Sequence, residues 1–169
     1  MGKQHLVSAA REFAVAAHGE QRYEEHPYAF HLDEVAVLVR TYGDVAQAVA
    51  YLQDVIEHTD ATPAQLREAF GEQIARCVEL LTEQPGLSRK ERNLRSFARL
   101  AEVVADSDDA VALIAKTADR LANVQRCFLN EDRGGLRKLR RDQRDFRAAV
   151  FRPGIADALW EELTDLISP

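Results

Sequence analysis

Leu6, Ala9, Ala10, Phe13, Ala16 and Ala17 fall on one helical stripe near the start of the chain, and Val35, Leu38 and Val39 repeat the pattern further on. Start and stop signals separate such stretches: Gly43 before Asp44, Thr62 before Pro63, Gly71 after Phe70, and Ser88 with Glu91 three residues later as a capping box. Together they predict helices over 4–18, 31–42, 44–59, 63–70, 72–83, 89–105, 109–129, 136–149 and 155–167. Val111, Leu113 and Ile114 would also suit a short strand. The apolar spacing continues through Ala118, Leu121, Ala122 and Val124, however, which only a helix sustains. The expected fold class is all-α, a compact multi-helix bundle. With no internal repeat and no Pro/Gly/Ser linker, residues 1–169 read as a single domain.

Composition narrows the function classes. A hydrophobic content of 46% in 169 residues is enough for one contiguous core. The net charge of -6 argues against a general binder of nucleic acid or of anionic membranes, which call for a positive field. No apolar run reaches membrane-spanning length and the first residues lack the apolar core of a signal peptide, so a cytoplasmic protein is expected. Cys77 and Cys127 stand far apart without a CxxC or Cys/His cluster and read as two reduced core thiols. Locally the charge departs from its average. Residues 133–147 hold seven Lys or Arg against two Asp, while Asp157, Glu161, Glu162 and Asp165 follow Pro153. A solvated basic helix near an acidic one is the plain expectation, and recruitment of a polyanion the functional alternative.

Three segments carry histidine and carboxylate on predicted helices: His26 to His31, Gln53 to His58, and Lys116 to Asn123. Convergence of such side chains matters because divalent metals need several ligands around one point. Asp54 lies within YLQDVI and Asp119 within LIAKTADRLA, and a carboxylate among apolar neighbours needs a metal, a cation or several donors. The simpler alternatives are a salt bridge from Asp119 to Arg120 or Lys116, and a helix-end polar contact for Asp54. Residues outside these segments read more plainly. His18 is expected to pack, Tyr23 and Tyr28 to join the core with purine stacking as the alternative, and Trp160 to anchor the last helix. Arg89, Lys90, Arg92 and Arg95 read as a solvated face that would also suit phosphates. Neither a Gly-rich phosphate loop nor a GxSxG motif is present.

The order of motifs supplies a resemblance. Ala17-His18 with Gln21-Arg22, Pro27-Tyr28 and His31, then Leu52 to Thr59, Phe70-Gly71 and Lys116 to Asn123 resemble the hydrolase domain of the RelA/SpoT alarmone enzymes, including the small single-domain hydrolases. The likeness spans roughly residues 6 to 129 and rests on five separated motifs in one order. It implies an all-helical HD domain that removes the 3'-pyrophosphate from guanosine tetra- or pentaphosphate, with manganese as the usual metal. Carried across, it implies a metal site of His31, Gln53, Asp54 and Asp119, and catalytic roles for Glu57 and His58. Arg22, Lys116 and Asn123 fall on substrate-binding positions.

Two departures stand on that site. Gln53 replaces the histidine that precedes the aspartate in the HD pair, and His58 replaces the second residue of an acidic pair. An amide oxygen is a weaker ligand for a transition ion than imidazole, so metal affinity should fall. Three outcomes stay open: metal held by His31, Asp54 and Asp119 alone; His58 recruited as a substitute ligand; or a nucleotide-binding module without turnover. A phosphohydrolase for a different nucleotide also stays open, because fold does not fix substrate.

Overall fold

The helix starts follow local side-chain chemistry. Thr62 accepts from the Gln65 backbone N–H while the Gln65 side chain accepts from that of Thr62, and Pro63 fills the first helical position, where its missing N–H costs nothing. Ser88 and Glu91 form the same reciprocal pair, as the sequence predicts. In the computed structural model, which describes residues 3–83 and 88–168, these signals bound ten α-helices among the described residues. They are α1 (Lys3–His18), α2 (Tyr28–Leu38), α3 (Asp44–Leu52), α4 (Val55–His58), α5 (Pro63–Phe70), α6 (Glu72–Leu81), α7 (Arg89–Ala101), α8 (Ala110–Leu129), α9 (Arg133–Val150) and α10 (Asp157–Ile167). Strands β1 (Arg22–Tyr23) and β2 (His26–Pro27) form one antiparallel ribbon.

The all-α expectation holds, and several boundaries differ. The helix expected over 31–42 begins at Tyr28 and ends at Leu38, with Arg40–Tyr42 a separate 3-10 turn. The helix expected to reach 105 stops at Ala101, where the Arg152 guanidinium donates to the carbonyls of Leu100, Ala101 and Val103 at 3.2, 2.9 and 3.2 Å. Helix α9 starts at Arg133 rather than 136, because Asp132 accepts from the Gly135 N–H at 2.9 Å. A side chain at 135 would push aside the Asp132 carboxylate that caps the helix and the Cys127 sulfur. Finally, the helix expected over 44–59 is broken at Gln53 and Asp54, where Asp54 takes φ -102° and ψ -6°.

The core is built around α3 and α8. Ala48, Val49, Ala50 and Leu52 from one and Leu113, Ala115, Ala118 and Leu121 from the other are fully buried, each large aliphatic side chain contributing about 1.5–3 kcal/mol. Helix α3 packs on α1, α2 and α6, and α8 runs past α2, α3, α6, α9 and α10. The many alanines let these helices approach closely. Phe146, Phe151 and Trp160 knit α9 to α10, with ring centroids 5.6 and 5.5 Å from the tryptophan. Cys77 is a buried free thiol that burial pushes up to about 11, and Cys127 is free and partly exposed. No helix among the described residues is long and apolar enough to cross a membrane.

Candidate active site

The ribbon, the start of α2, the break between α3 and α4, and the middle of α8 meet at one place. Arg22 pairs with Pro27 and Tyr23 with His26, a short reversal that delivers Tyr28 and His31 in the first turn of α2. The break after Leu52 keeps Leu52 and Val55 in the core while half-exposing Asp54 between them. Asp119 comes from the middle of α8, on one face with the buried Ala115 and Ala122 a turn to either side.

His31 is the centre of the arrangement. Its ring is almost entirely buried, with Nε2 3.2 Å from Asp119 Oδ1 and 3.9 Å from Asp54 Oδ2. Burial disfavours the imidazolium, but the hydrogen bond to Asp119 and the charges of Asp119 and Asp54 outweigh it and raise the His31 pKa. For Asp119, burial works upward and is overcome by His31 and by the charge of Lys116, so its carboxyl is held below the ordinary range. Lys116 Nζ stands 3.8 Å from Asp119 Oδ2, whereas Arg120 turns away to Asp142. Asn123, one turn on, donates to Asp119 Oδ1 at 2.9 Å.

Two tyrosines hold this set in place. Tyr28 donates to Asp54 Oδ2 at 3.0 Å, and Tyr23 stacks on the His31 ring at 4.4 Å while donating to Asn123 Oδ1 at 2.7 Å. Burial, with the nearby carboxylates, pushes both phenols well above their ordinary value, so they act as donors and not as bases. Tyr28 packs against the core, as expected, and both tyrosines also touch the candidate ligands. Behind Tyr28, His18 stacks at 4.1 Å, and its Nδ1 meets Gln21 Oε1, whose amide in turn donates to the His58 carbonyl. Because that amide nitrogen is spent on a carbonyl, the Gln21 oxygen faces His18, an arrangement that suits a proton on Nδ1. Desolvation lowers the His18 pKa in the same sense, and the expected packing role stands. Tyr28 lies one turn before His31, a spacing through which an aromatic partner of the ligand set is visible in the sequence.

The other candidates are less central. Glu57 and His58 flank the site on α4, with Glu57 Oε1 3.7 Å from His58 Nε2 and Glu57 Oε2 accepting from the Glu83 N–H at 3.1 Å. Arg22 is exposed on the ribbon and donates to the Glu25 carbonyl. Gln53 is buried, 4% exposed, and its amide nitrogen has no partner, an orphan that costs stability unless a group beside it supplies one.

Whether these side chains suit a divalent ion is decided by their chemistry. One imidazole and two carboxylates within 3.9 Å of its Nε2 are a donor set for a hard or borderline cation. The set is closed on itself, since His31 spends Nε2 on Asp119. Among the described residues no three His, Cys, Asp or Glu side chains are already spread as a metal cage. Binding would exchange the His31–Asp119 hydrogen bond for ligation, a rearrangement of side chains on helices already in place.

Known proteins share this layout. A pyrophosphohydrolase of guanosine-3',5'-bis(diphosphate) from Aquifex aeolicus is 32% identical over 70% of this chain and 17% of its own length. A probable enzyme of the same name from Synechocystis is 32% identical over 95% of this chain and 22% of its own. A protein named GTP pyrophosphokinase from Brucella suis is 36% identical over 71% of this chain and 16% of its own. The chain thus spans about a fifth of the length of the curated relatives it matches. A solved structure described as a metazoan ortholog of SpoT that hydrolyzes ppGpp superposes with a TM-score of 0.73 at 19% identity, covering 95% of this chain and 94% of the other. That likeness confirms the helical fold. The family model of the HD domain matches residues 10–153, a span that contains every candidate ligand, and this chain therefore belongs to the HD-domain family.

Proposed function

We propose that this chain is a metal-dependent phosphohydrolase that removes the 3'-pyrophosphate from guanosine tetra- or pentaphosphate, with manganese as its ion. The observation that carries the reading is the meeting of His31, Asp54 and Asp119 from three separate segments at one buried imidazole. Those three would hold the ion, with Gln53 offering its amide oxygen. When bound, a divalent ion supplies an acidified water and neutralises phosphoryl charge. Glu57 orients that water or takes its proton, beside His58. Lys116, already next to Asp119, meets the pyrophosphate oxygens, and Asn123 and Arg22 bind the remainder of the nucleotide. Water attacks phosphorus, the bond to the 3'-oxygen breaks, and GDP or GTP leaves with pyrophosphate. Relatives bear both a pyrophosphohydrolase and a pyrophosphokinase name.

One observation favours a second reading, a nucleotide-binding module without turnover. Gln53 stands buried with an unpartnered amide where the resemblance calls for a histidine, and the ligand set is closed. Pyrophosphate release from guanosine tetraphosphate with and without manganese, on wild type and Gln53→His, separates the two. The hydrolase reading expects metal-dependent release by wild type and a gain of about 10–100-fold in Gln53→His. Release by neither protein, with nucleotide still bound, leaves the binding module.

A further inference from the structure

We propose that the groove between α7 and α9 is a docking site for an acidic, amphipathic helix of a partner protein. The groove has a volume of about 880 Å³, and none of its lining residues belongs to the site described above. Its floor is apolar: Leu94, Phe97, Ala98 and Ala101 from α7, with Ala148 and Ala149 from α9. Leu94 is 69% exposed, a cost that a covering apolar surface would remove. Phe97 is braced from behind by the buried Phe146 ring, 6.0 Å away, so the floor is already formed.

The mouth is positive on both sides. Arg89 and Lys90 line it from α7, and Lys138 and Arg141 from α9. Among the described residues none of these four is in an ion pair. Asp142 and Asp145 also line the groove, but Asp142 is taken by Arg120 and by Asn93 at 3.1 Å. Four cations therefore face one carboxylate that lacks its own cation. That surplus sits in a chain whose net charge is -6, so it is a local feature and not a reflection of composition.

Shape and charge together select the occupant. The 13 residues of α7 give a trough on the order of 20 Å long, enough for roughly four helical turns. Alanines along both walls let a third backbone come close, the arrangement of an amphipathic helix laid in a groove. Neither a nucleic-acid backbone nor a small nucleotide has a use for six apolar side chains. The opposite side of α9 already packs on a helix, α10. Arg140 donates to the Ile167 and Ser168 carbonyls at the end of α10, Arg147 lies 5.3 Å over Trp160, and α10 carries Asp157, Glu161, Glu162 and Asp165. Lys138, Arg141, Asp145 and Ala148 follow helical spacing on the groove side.

The test is fluorescence polarisation of the whole chain with a labelled synthetic helix of about eighteen residues, Leu and Ala on one face and Glu on the other. A scrambled peptide and a version with Lys for Glu serve as controls. The acidic amphipathic peptide should bind alone, at least tenfold more weakly to Leu94→Glu and to the Lys138→Glu/Arg141→Glu pair, while the Lys version should prefer that pair. Circular dichroism checks that both variants, changed at the surface, remain folded. The proposal fails if the acidic peptide does not bind, if the scrambled peptide binds equally, or if the charge reversal has no effect. Displacement by GTP, or by anionic phospholipid vesicles in preference to the peptide, would also overturn it.

Discussion

Tyr28→Phe removes one oxygen from the site and leaves everything else in place, which makes its effect calculable. The phenol donates to Asp54 Oδ2 at 3.0 Å, a neutral donor on a carboxylate, for which about 1.5–3 kcal/mol is typical. The Asp54 side chain is 21% exposed, so water can replace part of that bond, and a loss of about 1 kcal/mol is expected. The ring itself remains, so its stacking on His18 at 4.1 Å is kept. Urea unfolding of metal-free protein should show a lower midpoint at unchanged slope. Because Tyr28 also orients a proposed ligand, manganese affinity should fall by about tenfold, the lower end for partners of ligands. Wild-type stability together with wild-type metal affinity would show that Tyr28 does not hold Asp54, and the account of the tyrosines would be wrong.

Three further outcomes follow from other contacts. Arg120→Ala removes the cation of Asp142, whose side chain is 18% exposed and keeps Asn93 as a donor, and should destabilise the chain by about 3 kcal/mol in urea unfolding, since Arg120 belongs to the α8–α9 joint. Asp33 is held below the ordinary carboxylate range chiefly by its hydrogen bond from Arg11, so its contribution is present above the unfolded value near 3.8 and lost as pH falls through the folded one. Both side chains are more than a third exposed, which limits the effect to about 0.5 kcal/mol; Asp33→Asn should flatten the acid limb of a stability-against-pH curve by that amount. Lys116→Ala should weaken calorimetric binding of guanosine tetraphosphate by about 1.5–3 kcal/mol and leave guanosine unaffected, and equal losses would remove Lys116 from the phosphates.

Much of this molecule is readable from its sequence because helical period and capping chemistry agree. Thr62 with Gln65 and Ser88 with Glu91 form the caps their spacing announces. The break at Gln53 and Asp54 is not readable, because YLQDVIEH keeps its helical spacing and the chain departs from it where Asp54 meets Tyr28 and His31, contacts distant in sequence. Two-residue strands are likewise too short to show a period, so the ribbon that carries Tyr23 onto His31 leaves no local signal. At the site, motif order brings out His31, Asp54 and Asp119 together with Lys116 and Asn123. Tyr23 escapes such reading, because an aromatic that braces a ligand and one that fills a core look the same in a sequence.

The central claim is that His31, Asp54 and Asp119 together make a divalent-ion site in spite of Gln53. Calorimetric titration of manganese into wild type and into Asp54→Asn tests it most directly, under identical buffer and pH. The account predicts one bound ion per wild-type chain and its loss in the variant, with circular dichroism showing that the variant is folded. Equal binding by both proteins, or none by wild type at millimolar manganese, would contradict it.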